Sequence, residues 1–290
     1  MFALPPLRYG VRMSVTLTRN GTLKIGELVR SWRSRRRLTQ LEFAGRADIS
    51  TKHLSFLETG RAQPSRDMVL RLAELLDIPL RERNSLLMAA GYAPVFPERA
   101  LDDPELTLAR QAVDMVLKGH EPYPAIAVNR HWELVAANSA VALLLGDVAP
   151  ALRSEPINVF RVSMHPDGFC SRIANYIEWR AHALARLRHQ VEISGDAILA
   201  ELYREVSEYP VPERDASGMR RDAAIGLAHS YAIPVVPLKY ITPQGILSFF
   251  STVTMFGTPI DITLSELAIE SMYPADEATA EALRAIVLRN

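Results

Sequence analysis

Residues 38–58 read LTQLEFAGRADISTKHLSFLE, and this stretch decides the fold of the first third of the chain. Thr39 stands where a helix N-cap belongs. Glu42 falls in the first turn of the helix it opens, where the helix dipole favours a negative charge. That helix, Gln40 to Ala47, stops at Asp48. A turn this tight needs a left-handed residue, and Asp is among the few besides Gly that tolerate the conformation. Ser50 caps a further helix, Thr51 to Thr59, and Gly60 ends it. Two short helices therefore flank a tight turn, with the second presented outward.

Working outward, Lys24 to Arg37 reads as a preceding helix. Ile25, Leu28, Val29 and Trp32 fall at helical spacing, and arginines fill much of the remainder. Downstream, Pro64 and Ser65 open a helix over Arg66 to Leu76, and Pro79 opens another that Gly91 closes. Five helices make an all-α domain over residues 22–92. Its expected core is Leu28, Trp32, Leu41, Ala44, Ile49, Leu54, Leu57, Val69, Leu72, Leu76 and Leu86.

The formal net charge of zero conceals an asymmetry. Residues 1–66 hold 13 Lys/Arg against 4 Asp/Glu, a net +9, and residues 67–290 hold 20 against 29, a net −9. A polyanion partner is expected for the first part only. No apolar run reaches the length of about 18 residues that spans a membrane. Residues 1–21 lack the apolar segment of a signal peptide and read as a disordered leader. The lone cysteine, Cys170, has no partner for an internal disulfide, which suits a cytoplasmic protein.

The series Thr39, Gln40, Ala44, Ile49, Ser50, Leu54, Leu57, Glu58 and Gly60 resembles the helix-turn-helix of the phage-repressor type (XRE-like). The resemblance implies double-stranded DNA as partner, bound as a homodimer. Position by position, it implies that Gln40 contacts a phosphate and braces the recognition helix. Ser50, Thr51 and Lys52 lie at the exposed start of that helix, with Ser55 and Phe56 one turn on, facing the major groove. Lys52 is open to base readout or a phosphate contact, and Phe56 to packing on a thymine methyl or extending the core. Arg61 and Arg66 meet the DNA backbone or minor groove. Arg33 and Glu58 match a structural ion pair. Asp48 replaces the usual turn glycine.

Ala93-Pro94-Val95-Phe96-Pro97 marks a boundary, and residues 93–120 form a linker and a connecting helix. Two short apolar runs, 125–128 and 132–136, read as a hairpin, and Asn138 caps a helix to Leu145. A long helix is expected from Asp167 or Gly168 to about Ile193, and a second from Asp196 to Glu208. Strands follow at Ile233–Tyr240, Ile246–Phe256 and Leu264–Tyr273, with a closing helix over 276–288. Residues 121–290 are thus α+β with an antiparallel sheet. This order, with H-P-D-G at 165–168, E-W-R at 178–180 and S-F-F-S-T-V-T-M-F-G-T-P at 248–259, resembles the ligand-binding domain of MmyB-like transcription regulators. The resemblance implies a PAS-like pocket for a small apolar ligand, with a fatty acid as the expected occupant. Tyr123, Trp132, Trp179, Phe256 and one of Phe249 and Phe250, which strand alternation puts on opposite faces, are candidates for its wall, and Arg172 and Arg180 for its polar mouth.

The sequence contains no nucleophile elbow, P-loop or G-x-G-x-x-G, and its histidines lack cysteine support for a zinc site. The reading is a non-enzymatic, cytoplasmic, sequence-specific transcription regulator that needs no cofactor or metal. The alternative is a DNA-tethered enzyme or protein-interaction module with no small-molecule sensing.

Overall fold

The computed structural model describes residues 24–145, 148–221, 235–257 and 259–287. The leader expected at 1–21 and the start of the strand expected from Ile233 lie outside these residues. The first unit holds helices α1 (Ile25–Arg35), α2 (Gln40–Arg46), α3 (Thr51–Glu58), α4 (Arg66–Leu75) and α5 (Leu80–Ala89). Capping explains the boundaries. Thr39 accepts from the Glu42 amide while Glu42 reaches back to the Thr39 amide at 2.7 Å, a closed capping box. Ser50 and Ser65 cap α3 and α4 from one side only, each accepting from an amide of the first turn. Asp48 adopts φ 52° at the turn between α2 and α3.

Trp32, Phe43, Leu54, Leu57, Leu72, Leu86 and Leu87 pack at the centre of this unit. Leu41, expected in the core, is 73% exposed. In a helix of seven residues the buried face is fixed by Phe43, Ala44 and Ala47, and Leu41 falls on the opposite side. Gly26 allows α1 to lie directly on the end of α3. A β-carbon there would stand 2.2 Å from the Leu57 carbonyl oxygen.

The second unit opens with α6 (Thr107–Gly119), β1 (Ala125–Val128), β2 (Leu134–Ala137) and α7 (Ser139–Leu145). It continues through α8 (Val159–Met164), α9 (Tyr176–Ser194) and α10 (Ala197–Glu208). It ends with β3 (Leu238–Thr242), β4 (Gly245–Met255), α11 (Ile262–Ser265), β5 (Ala268–Pro274) and α12 (Glu277–Val287). The five strands form one antiparallel sheet in the order β2-β1-β5-β4-β3. Cross-strand partners Ile126, Glu270 and Val253 share its inner face. The helices α7 to α10 cover that face, with Leu187, Leu199, Leu202 and Val206 in the contact. On the outer face α6 lays Val113 and Leu117 against Ala125, Ala127 and Ile269.

Three boundaries differ from expectation. The long helix starts at Tyr176, not at Asp167 or Gly168, because residues 173 and 174 are used by the sheet. Ile173 bridges to Tyr240, and the Ala174 amide donates to the Lys239 carbonyl at 2.7 Å. The last strand starts at Ala268, not Leu264, because Asp261 accepts from the Thr263 amide and caps α11 first. The third strand starts at Leu238 and runs on to Thr242.

Contacts of Arg81 and Arg35 join the two units, beside further charged pairs within the second. Arg81 on α5 grips Glu98 and, through Nε at 2.8 Å, Glu266 before β5. Glu266 also faces Arg130 at 3.4 Å. Asp196 faces Arg130 at 3.7 Å and His131 Nε2 at 3.0 Å. Beside it, Arg35 at the end of α1 donates to the Ser194 carbonyl at 2.8 Å. Gly195 ends α9 with φ 64°, and a β-carbon there would strike the Arg35 guanidinium.

Burial alone would raise the Asp196 pKa, but the hydrogen bond and charge of His131, with Arg130, outweigh it and hold the group at about 2. A depressed carboxylate contributes stability above its unfolded pKa and loses it as pH falls through the folded one. The Asp196 cluster with Arg130 and His131, which lies within the second unit, is therefore expected to persist at neutral pH and to weaken between about pH 4 and pH 2. Thermal melts across that window should show this contribution to stability being lost, and Asp196→Asn should lower the melting temperature at pH 7. Unchanged melting in both would refute the assignment.

Candidate nucleic-acid interface and ligand pocket

Helix α3 presents its N-terminal turn to solvent, with Thr51 and Lys52 exposed. Its position is set from behind by a buried carboxylate. The Glu58 side chain is 1% accessible and accepts from Arg33 Nε at 2.6 Å, Arg33 Nη2 at 3.0 Å and Gln40 Nε2 at 2.7 Å. Arg33 Nη1 also donates to the Leu38 carbonyl at 2.6 Å. One charge thus ties α1 and α2 to the end of α3. The Gln40 amide is engaged in this brace.

Ser50 spends its hydroxyl as acceptor for the His53 amide at 3.1 Å, which makes it a cap. Ser55 and Phe56 are half-buried one turn later. Phe56 stands apart from the packed centre of the unit, with Lys52 Nζ 5.7 Å and the Arg61 guanidinium 6.0 Å from its ring centroid. Arg61 and Arg66 are exposed. Asp48, 93% exposed at its side chain, lies 4.0 Å from Arg71, a surface pair of little energetic weight.

The second unit holds a cavity of about 370 Å³ between the inner sheet face and α7 to α9. Its wall is mainly apolar: Ile126, Leu134, Leu145, Ile157, Phe160 and Met272 are representative. Trp132 and Trp179 both line it. Trp132 meets Phe160 edge-on at 5.0 Å and donates its indole N–H to Gln190 Oε1 at 2.7 Å. Its backbone holds φ 63°, a costly conformation for a bulky residue. Phe250 contributes to the wall, but its ring stacks on Tyr273 at the outer face. Strand alternation gives the inward position to Phe249.

Four expected pocket residues lie elsewhere. Tyr123 packs edge-on to His120 at 5.8 Å, beside the cluster of Leu144, Tyr240 and Phe249. Phe256 packs with Val113 and Ile269 at the other face of the sheet. Arg172 donates to the Tyr240 hydroxyl at 3.3 Å. Arg180 donates to the Val206 and Ser207 carbonyls at 3.1 and 2.8 Å, satisfying the end of α10. The polar lining includes instead Arg186, Glu270, His182, Ser163 and Ser251. Helical spacing on α9 was the available signal, since Trp179, Ala183, Arg186 and Gln190 fall on one face. Glu270 gave no signal, being a charge in the middle of an apolar strand. No group of His, Cys, Asp and Glu suited to a metal ion occurs among the described residues.

A braced helix-turn-helix joined to a domain built round a mainly apolar cavity defines a class: DNA-binding transcription regulators with a ligand-binding domain. The family model described as MmyB-like transcription regulator ligand binding domain matches residues 109–286, and a helix-turn-helix domain model matches residues 24–86. The chain belongs to the MmyB-like transcription regulators. No curated protein matches it. No helix among the described residues is long and apolar enough to cross a membrane.

Removing one partner of the Arg33–Glu58 pair leaves the other buried without compensation. Glu58→Ala is expected to cost about 3–5 kcal/mol in urea unfolding, whereas Arg33→Met combined with Glu58→Leu recovers most of that loss. Equal destabilisation by the single and double changes would contradict the account.

Proposed function

We propose that the protein binds operator DNA in the cytoplasm as a homodimer, and that a small apolar effector held in its PAS-like domain sets its affinity for that DNA. One observation carries the regulatory half. Trp132 lines the cavity, and its neighbours Arg130 and His131 hold Asp196, two residues beyond the contact with the first unit. Two residues before Asp196, the Ser194 carbonyl receives Arg35 from α1. Gln190, which accepts from the Trp132 indole, sits one turn before Ser194 on α9. An occupant that moves Trp132 therefore acts on the groups that position α1. Regulation follows if the effector binds the two arrangements with different affinity.

The effector suited to this wall is a single-chain amphiphile of the fatty-acid type, with its chain among the aliphatic and aromatic side chains. A two-fold operator needs two recognition helices one DNA turn apart. We assign a second copy of the chain to the exposed stripe of α6, where Leu108 and Met115 are 80% and 73% exposed.

The DNA reading is tested on an operator selected from a random duplex pool. Thr51→Ala and Lys52→Ala are expected to lose about 1–3 kcal/mol of binding to that operator, while Arg61→Ala weakens all sequences alike and reduces the salt slope by about one unit. Fluorescence anisotropy at several salt concentrations reads both quantities. Wild-type affinity in all three variants would sink the assignment. Leu108→Glu should lower the solution mass from dimer to monomer in light scattering, and a dimer that survives the change rules α6 out.

A further inference from the structure

The polar end of the cavity constrains its occupant more closely than the apolar wall does. Among the described residues that line it, the side chains with a formal charge at neutral pH are Arg186 and Glu270, and they are bonded to each other. Arg186 Nη1 donates to Glu270 Oε1 at 3.1 Å. The same oxygen accepts from Ser251 Oγ at 2.7 Å. The Glu270 side chain is 10% accessible, and the Arg186 guanidinium is also held 4.4 Å over the Trp132 ring. His182, the remaining basic group of the lining, is pushed below its ordinary pKa by burial and by the charge of Arg186, so it is neutral at pH 7. The polar end is electrically balanced before any ligand arrives.

A free carboxylate would bring a second anion to a guanidinium that already has one. It would either displace Glu270 and orphan a buried charge, or lie beside it against like-charge repulsion. An ammonium group would meet Arg186 in the same way. A neutral head that both donates and accepts meets neither penalty, because it can accept from Arg186 and donate to Glu270.

We propose that the cavity selects a single-chain amphiphile with a neutral hydrogen-bonding head, an amide or an alcohol, over the free fatty acid, and that Glu270 sets this selection. The inference rests on the reading of the cavity as the effector site and narrows the chemistry of that effector.

The test uses the full chain and displacement of the neutral fluorophore N-phenylnaphthylamine at about pH 8, where a fatty acid in dilute solution is ionised. Dodecanamide is expected to displace the probe at a concentration about tenfold or more below that of dodecanoate. In Glu270→Gln, which keeps the shape and an acceptor for Ser251, the preference should shrink or invert. A wild-type preference for dodecanoate overturns the proposal without recourse to any variant. So does an unchanged ratio in a Glu270→Gln protein whose melting curve shows it folded. If neither the probe nor either amphiphile binds, the effector-site reading itself fails and takes this one with it, a result distinct from binding with the wrong selectivity.

Discussion

The Glu58 carboxylate is the constraint on which the DNA-binding half rests. It is withdrawn from water almost completely and is answered by two side chains from two other helices. Taking a carboxylate and a guanidinium out of water costs several kcal/mol per ion, repaid only where the geometry is good and the remaining donors are satisfied. Arg33 meets that condition with a forked contact to the carboxylate and a third bond to the Leu38 carbonyl. The pair therefore does less for net stability than for uniqueness of arrangement. The angle at which α3 offers Thr51 and Lys52 is set by a bond network that a purely apolar contact would leave looser.

The basic surplus of the N-terminal part is spent in two ways. Arg61, Arg66 and Lys52 stay exposed to solvent. Arg36 instead turns inward to the Leu76 and Asp77 carbonyls that end α4, and Arg35 crosses to Ser194 in the other domain. The same excess charge that suits a polyanion thus also fastens the DNA-binding unit to its partner domain. Charged contacts of this kind, with an intermediate share of exposure, reorganise more readily than a dry apolar interface. That is the property a contact needs if a distant ligand is to shift it.

Much of this was legible in the chain because the signals were local. Thr39, Ser50, Asp48, Gly60 and Gly91 act within four residues of themselves, and each stands where the helix boundary they mark is found. The antiparallel sheet was equally visible in short apolar runs bounded by turns. What was not legible depends on long-range partners. Tyr176 rather than Asp167 starts α9 because a strand more than sixty residues away claims the intervening backbone. Arg172 and Arg180, chosen for their nearness to aromatic residues, are committed to the Tyr240 hydroxyl and to the carbonyls ending α10. Glu270 takes its meaning only from Arg186, 84 residues away in the chain.

The three tryptophans are divided between the two ends of this system. Trp132 and Trp179 stand in the cavity wall, one of them with its indole N–H engaged by Gln190 and its ring under Arg186. Trp32 is buried in the DNA-binding core, with the guanidinium groups of Arg35 and Arg36 over its ring at 5.2 and 5.6 Å. The molecule consequently carries its own optical labels. Emission from the cavity pair reports filling, and emission from Trp32 reports the release or tightening of Arg35. With Trp32 or the cavity pair replaced by phenylalanine, the two signals separate, and their relative timing shows which event comes first.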